Sequence, residues 1–244
     1  MVFYFWHMRK AIVIGASSGI GHELALLLSQ NTYKVGITGR RASLLEKLRA
    51  NATDSFVVKA FDCTDENAYD YLHHLVDRLG GLDLLVLSSG TGDLNSSLEY
   101  SIENHTNQLN VIAFTKIITW AFNFFKKQGH GHIVAISSIG GIRGSALAPA
   151  YNASKAYQIN YLEGLRQKVK KESLHITITD IRPGLVDTDM AKGDGQFWVA
   201  PPQKAAKQIY YHINQKSEIV YITKRWRIIA ILLKILPTWL YKRM

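Results

Sequence analysis

"KAIVIGASSGIGHELALLLSQ", residues 10–30, decides how the chain is to be read. It opens with a short apolar run closed by Gly15, the pattern of a buried strand, and from Gly21 onward the apolar residues switch to helical spacing. Between the two, Gly15, Gly19 and Gly21 stand as G-x-x-x-G-x-G. Glycines at such a turn allow a tight bend, a close approach of backbone to a phosphate, and close packing of helix on strand. The unpaired N–H groups and the dipole of the helix start attract an anion. Glycine spacing alone is a weak signal, but here it lies between a first strand and a first helix, the context a dinucleotide site requires.

The alternation continues outward. Further strands are expected at 33–39, 55–62, 82–90, 131–138, 175–184 and 218–223, and helices at 43–51, 65–80, about 101–127, 151–171 and 201–214. Near-continuous Val/Ile/Leu strands separated by helices imply a parallel sheet covered on both faces, and right-handed crossovers make it a doubly wound α/β fold. Ligands of such sheets bind outside the carboxyl ends of the strands, so the strand tips carry the functional reading.

With 244 residues, 47% of them hydrophobic, the chain suits one such domain. No repeat or low-complexity linker divides it. Cys63 is the only cysteine, which excludes an internal disulfide and fits a reducing, cytoplasmic setting. The opening residues are apolar but lack the early charge and cleavage site of a signal peptide, and Met8 is a second candidate start. The expected division is an extension at 1–9, a domain at 10–223 and a tail at 224–244.

The net charge of +10 raises the question of nucleic acid, but its distribution argues against that partner. Lys224, Arg225, Arg227, Lys234, Lys242 and Arg243 fall in the tail, which has no Asp or Glu. The stretch 228–236 is apolar except for Lys234. As a helix it spans roughly 14 Å, short of the ~30 Å hydrocarbon core of a bilayer. Trp226, Trp239 and Tyr241 among basic residues suit a membrane surface. Packing of the tail on its own domain, or in a subunit interface, is the alternative reading.

The end of the second strand selects the cofactor. "ITGRRAS" has Gly39 where an acid would accept the ribose 2′-OH of NAD(H), followed by Arg40 and Arg41. Guanidinium forks pair well with phosphate, and Ser17 and Ser18 add hydroxyls nearby, so NADP(H) is favoured over NAD(H).

With these motifs in order, the sequence resembles the classical short-chain dehydrogenase/reductase family over about residues 10–223. "GASSGIG" matches its glycine turn, with Ile20 inside it; "DCTD" sets Asp62 and Cys63 where the family contacts adenine; "LNV" holds Asn110. "ISS" ends in Ser138, thirteen residues before Tyr151; "YNASK" supplies Tyr151 and Lys155; "RPGLVDT" supplies Pro183, Gly184, Val186 and Thr188 beside the nicotinamide. One motif departs: the family's Asn-Asn-Ala-Gly is "LSSG" here, with Leu87 and Ser88 at the asparagine positions and only Gly90 retained, so the asparagine bracing between neighbouring strands is lost and serines take over some of its hydrogen bonds. The resemblance implies a single Rossmann-type domain, a homo-oligomer, and Asn110, Ser138, Tyr151 and Lys155 as catalytic residues, Lys155 also bonding the nicotinamide ribose.

Tyr151 and Lys155 are four apart and share a helix face. A free phenol titrates near ~10, and an adjacent ammonium is expected to lower that value. Ser138 would then position the substrate oxygen, Tyr151 would exchange the proton, and Asn110, by resemblance, would fix a water linking Lys155 to solvent. Substrate walls are expected from 91–97, 139–148 and 189–199, the last a lid with Gly193, Gly195, Phe197 and Trp198. No charged substrate anchor is evident, so an apolar or amphiphilic carbonyl or alcohol is preferred. A redox step in epimerisation of a lipid-linked sugar, or a non-catalytic dinucleotide-binding scaffold, are the other readings. Nine histidines invite a metal, but none has ligand spacing; no metal is expected.

Overall fold

The computed structural model describes residues 8–51, 54–190 and 197–243. Seven strands form one parallel sheet: β1 (Arg9–Ile14), β2 (Tyr33–Gly39), β3 (Phe56–Ala60), β4 (Leu84–Leu87), β5 (Gly131–Ile136), β6 (Ile176–Pro183) and β7 (Ile219–Ile222), in the order β3-β2-β1-β4-β5-β6-β7. The helices are α1 (Gly19–Ser29), α2 (Ala42–Ala50), α3 (Ala68–Leu79), α4 (Tyr100–Asn107), α5 (Phe114–Gln128), α6 (Pro149–Lys171), α7 (Pro202–Asn214), α8 (Trp226–Ile235) and α9 (Thr238–Tyr241).

Side-chain alternation along the strands sorts two cores. Ala11, Val13, Val35, Ile37 and Val86 meet Leu24 and Leu28 of α1, Leu45 and Leu48 of α2, and Ile209 and Ile213 of α7. Ile12, Ile14, Leu85 and Ile133 turn to the other face, against Leu72 and Leu75 of α3, Ile117, Ile118 and Phe125 of α5, and Leu162 of α6. Each fully buried Leu, Ile or Phe is worth about 1.5–3 kcal/mol, so both layers are strongly held. The result is the expected Rossmann-type doubly wound sheet. At its centre Ile14 lies beside Thr38 of β2 and Leu87 of β4. The chain leaves β1 toward α1 on one face and leaves β4 toward α4 on the other, which opens a crevice between the two strand tips.

Three differences from the expected elements bear on function. The strands are shorter at their carboxyl ends, so Asp62, Cys63, Ser88 to Gly90, Ser137 and Ser138 all lie in the loops beyond them. The long helix expected near 101–127 is interrupted by a π-helical turn, Gln108–Ala113, between α4 and α5. The apolar stretch 228–236 falls in the one helix α8, as expected, but the tail adds a second short helix, α9, after Pro237, and among the described residues no helix is long and apolar enough to cross a membrane.

The tail is fastened to the domain. Trp226 and Ala230, four apart on α8, are buried. Trp226 lies on Gly184, where an added Cβ would stand 2.2 Å from the indole, and its ring meets those of Phe197 and Trp198 at 5.1 and 6.1 Å. Arg143, in the loop before α6, donates to the Leu236 carbonyl at 2.6 Å and stacks over Tyr241, whose hydroxyl donates to the Gly144 carbonyl. The opposite face of α8 points outward: Ile228, Ile231, Leu232 and Ile235 are 50–70% exposed, as is Trp239. Residues 1–7 and the lid glycines Gly193 and Gly195 lie outside the described residues.

Candidate active site

The glycine turn sits at the tip of β1. Gly15 has φ +88°, and a Cβ on it would stand 2.6 Å from the Ser89 nitrogen; a Cβ on Gly21 would stand 2.2 Å from the Gly15 carbonyl oxygen. No larger residue fits either place. The N–H groups of Gly15 and Ala16 both donate to the Thr38 carbonyl, which ties the turn to β2. Ile20 follows in the first turn of α1, whose leading N–H groups have no partner within the helix.

Arg41 reaches from the end of β2 over this turn, donating to the hydroxyls of Ser17 at 3.0 Å and Ser18 at 2.6 Å. Arg40 takes another direction and lies 3.8 Å from Asp62. Asp62 also accepts from the Thr64 N–H and hydroxyl. Beside Arg40 and Asp62 opens a cleft of about 420 Å³, lined by Thr64, Asn104, Gln108 and Leu109. Cys63 is buried and its thiol donates weakly to Ser89 at 3.7 Å; burial pushes that thiol above its usual range. Ser89, third residue of the "LSSG" segment, thus ties this loop to the one carrying Cys63. Thr188 comes over the turn, its methyl 3.0 Å from where a Cβ of Gly19 would be, and Val186 is buried where it pairs with Ala200. Pro183 ends β6, and the space beside Gly184 is taken by Trp226. The cradle of glycines, hydroxyls and two guanidinium groups fits a dinucleotide carrying phosphate at several points.

One strand further along, α6 presents Tyr151 and Lys155 on one face. The Tyr151 ring lies between Gly92 and Gly140, where a Cβ would stand 3.0 and 3.4 Å from it, and its hydroxyl is hydrogen-bonded with Ser138. Ser138 caps the 3-10 turn Ile139–Ile142, its oxygen accepting from the Gly140 N–H at 3.0 Å. Lys155 is buried; its ammonium donates to the Ile136 carbonyl at 3.0 Å and to the Gln158 side-chain oxygen at 3.1 Å. Burial lowers its pKa to about 8, the charge of Asp180 working against that. The expected lowering of the tyrosine does not arise from the protein groups alone. Burial pushes the Tyr151 phenol up, the Ser138 hydrogen bond opposes this, and Lys155, 5.8 Å from the ring centre, spends its N–H groups on Ile136 and Gln158.

Asn110 lies in the π-helical turn and is fully buried. Its amide exchanges hydrogen bonds with the Thr91 backbone at 2.8 and 3.0 Å and donates to Ser154 at 3.0 Å. It braces the loop that carries Gly90, beside which Lys155 and Met190 also lie. Its link to Lys155 runs through Gln158, whose amide donates to the Asn110 carbonyl at 2.8 Å.

Sequence reasoning missed two features. Gln158 is one. The other is a buried cluster behind Ser138: Asp180 receives both Nε and Nη2 of Arg182 at 2.7 Å and the Ser137 hydroxyl, and Arg182 reaches the Tyr221 hydroxyl at 3.2 Å. Polar residues at buried positions in "ISS" and "DIR" were the available signal. The histidines do other work: His132 is hydrogen-bonded with Thr179 at 2.8 Å, and burial lowers its pKa to about 4. Among the described residues, no three His, Cys, Asp or Glu side chains gather to hold a metal ion.

Comparison with known proteins agrees with this geometry. The family model for short chain dehydrogenase matches residues 9–197. An uncharacterized oxidoreductase of Staphylococcus epidermidis is 28% identical over 218 residues, covering 86% of this chain and 93% of its own. One of Myxococcus xanthus is 32% identical over 188 residues, 75% of this chain and 74% of its own. A short-chain dehydrogenase/reductase of Burkholderia phymatum, solved in complex with NAD, superposes with a TM-score of 0.82 at 15% identity and covers 92% of each chain. A variant actinorhodin polyketide ketoreductase solved with NADPH gives 0.78 at 21% identity, covering 93% of this chain and 98% of its own. At these identities the two solved structures speak for the fold alone.

Proposed function

The chain belongs to the short-chain dehydrogenase family, and from that premise we propose that it is an NADP(H)-dependent enzyme exchanging hydride with a hydrophobic carbonyl or alcohol. That it is an oxidoreductase with a nicotinamide-dinucleotide fold follows from the family and its relatives. The observation that carries the finer reading is the gathering of Ser138, Tyr151 and Lys155 beyond β5, next to the crevice at the tips of β1 and β4.

When bound, the nicotinamide supplies or accepts the hydride. The turn from Gly15 to Gly21 would hold the pyrophosphate, Asp62 and Cys63 the adenine, and Gly90, Pro183, Gly184, Val186 and Thr188 the nicotinamide end. Arg41 over Ser17 and Ser18, with no acid at Gly39, supports recognition of a 2′-phosphate, to which Arg40 would turn from Asp62. Ser138 accepts from Gly140, and its single O–H, directed at the Tyr151 oxygen, would be shared with a substrate oxygen placed between them. Tyr151, its phenol pushed up by burial, keeps its proton until an alkoxide develops beside it, which favours carbonyl reduction. Lys155, with a pKa near 8, is mostly charged at neutral pH, is set to bond the nicotinamide ribose, and favours the tyrosinate left behind.

The substrate class rests on the walls. Leu94, Leu147, Met190, Phe197 and Trp198 are exposed apolar side chains on the loops beyond the strand tips. Arg143, the basic residue of that wall, is engaged by the tail. This favours an apolar or amphiphilic carbonyl. The outward apolar face of α8, among six basic residues and no acid, supports work at a membrane surface, with the chain otherwise cytoplasmic and assembled as a homo-oligomer.

A panel of ketones, aldehydes, steroids and acyl thioesters, followed by nicotinamide absorbance, tests the reading. The expected result is NADPH-dependent reduction of apolar carbonyls, with kcat/KM about tenfold or more above that with NADH, and loss of that preference on replacing Arg40 and Arg41 by Ala. Tight NADPH binding without turnover on any member would overturn the catalytic reading, and equal use of NADH would overturn the cofactor preference.

A further inference from the structure

Gln158 lies three residues after Lys155 on the same face of α6 and is 1% exposed. Both ends of its amide are committed. What faces it settles which way the amide points: an ammonium can only donate and a backbone carbonyl can only accept. Its oxygen therefore takes the Lys155 N–H at 3.1 Å, and its NH2 donates to the Asn110 carbonyl at 2.8 Å. Asn110 sits in the π-helical turn between α4 and α5, so one side chain ties the lysine to the backbone of a different helix.

We propose that Gln158 is a positioning residue for Lys155: its amide holds the ammonium toward the crevice, favours its charged form, and fixes it to the backbone at Asn110. The other groups facing Lys155 leave this task to the amide. From β5 comes a single neutral acceptor, the Ile136 carbonyl. From β6 the charge of Asp180 reaches it, but that carboxylate is already engaged by Arg182 and Ser137. From α6 itself comes Tyr151, a neutral phenol. Gly90 and Asn110 bring no charge. Without the Gln158 oxygen, the ammonium would keep one protein acceptor in a dry site, and its charged form would be disfavoured.

The proposal is tested by titrating Lys155 directly. In the full chain with 13Cε-labelled lysine, the Lys155 resonance, assigned by its loss in Lys155→Met, is followed with pH in the wild type, Gln158→Met and Gln158→Glu. Methionine matches glutamine in shape but not polarity, and glutamate adds a charge. The wild-type midpoint is expected near 8; it should fall by about one unit or more in Gln158→Met and rise by about as much in Gln158→Glu. The alkaline limb of kcat should move in the same two directions. Midpoints that coincide in wild type and Gln158→Met overturn the proposal, and that pair decides alone should Gln158→Glu not fold. Only the kinetic arm rests on the catalytic reading above. Shifted midpoints in a protein without turnover would strike that reading, whereas unshifted midpoints in an active enzyme would strike this one.

Discussion

Tyr151 holds its proton more firmly than a free phenol because its surroundings are dry, and Ser138 only partly offsets that. Replacing it by Phe removes the hydroxyl proposed as proton donor and one hydrogen bond but keeps the ring between Gly92 and Gly140. Turnover should fall by about 10²–10⁴-fold, while NADPH affinity, measured by fluorescence titration, stays within about threefold. His132 allows a different residue-scale test. Its folded pKa is near 4 against an ordinary 6.5, so below pH 6.5 the unfolded chain binds a proton that the folded one refuses. The protein should therefore lose stability as pH falls from 6.5 toward 4, about 2 kcal/mol of it by pH 5. Urea midpoints at pH 7 and pH 5 should show this, and His132→Gln should flatten the difference. The gathering of Ser138, Tyr151 and Lys155 was legible in the sequence because their spacing and order are constrained. Gln158 was not, because its partners are an ammonium one turn away and a carbonyl 48 residues away, and no spacing rule reports such a meeting.

Among the elements, α8 depends on a glycine. The Trp226 ring occupies the space a side chain at position 184 would need. Gly184→Ala should displace the tail, at a loss of about 1–3 kcal/mol, seen as a lower thermal midpoint and faster proteolysis near residues 224–226. An unchanged midpoint and digestion pattern would mean that Trp226 repacks without strain. The strands were readable because each is a short apolar run ended by a turn. Their carboxyl ends were overestimated, since serine and aspartate beyond a strand continue its pattern while already facing the crevice. The π-helical turn at Gln108–Ala113 could not be read, because its composition is that of any helix and only the packing of Asn110 against Thr91 and Ser154 requires it. The tail's anchorage was hidden for a similar reason: Arg143 and Tyr241 are nearly a hundred residues apart.

At the scale of the whole molecule, the doubly wound parallel sheet was legible from the alternation of elements, since few connections between buried parallel strands are possible, whereas the order β3-β2-β1-β4-β5-β6-β7 comes from the fold itself. The meaning of the charge excess was legible only in part. The sequence showed where the basic residues lie, and the fold shows that they border an outward apolar face on a fastened helix. The full chain should float with anionic vesicles at low salt and progressively less as salt is raised. Ile231→Glu combined with Ile235→Glu should abolish flotation and leave turnover of a water-soluble carbonyl within about twofold, since both side chains lie on the exposed face of α8. Flotation unaffected by those changes would assign the contact elsewhere. Cys63 has a consequence of its own. It is the chain's single cysteine, buried and with its thiol pushed toward protonation. The molecule thus offers a nearly silent background for maleimide chemistry: Ile235→Cys would take one dye at one known place, and no native sulfhydryl would have to be removed first.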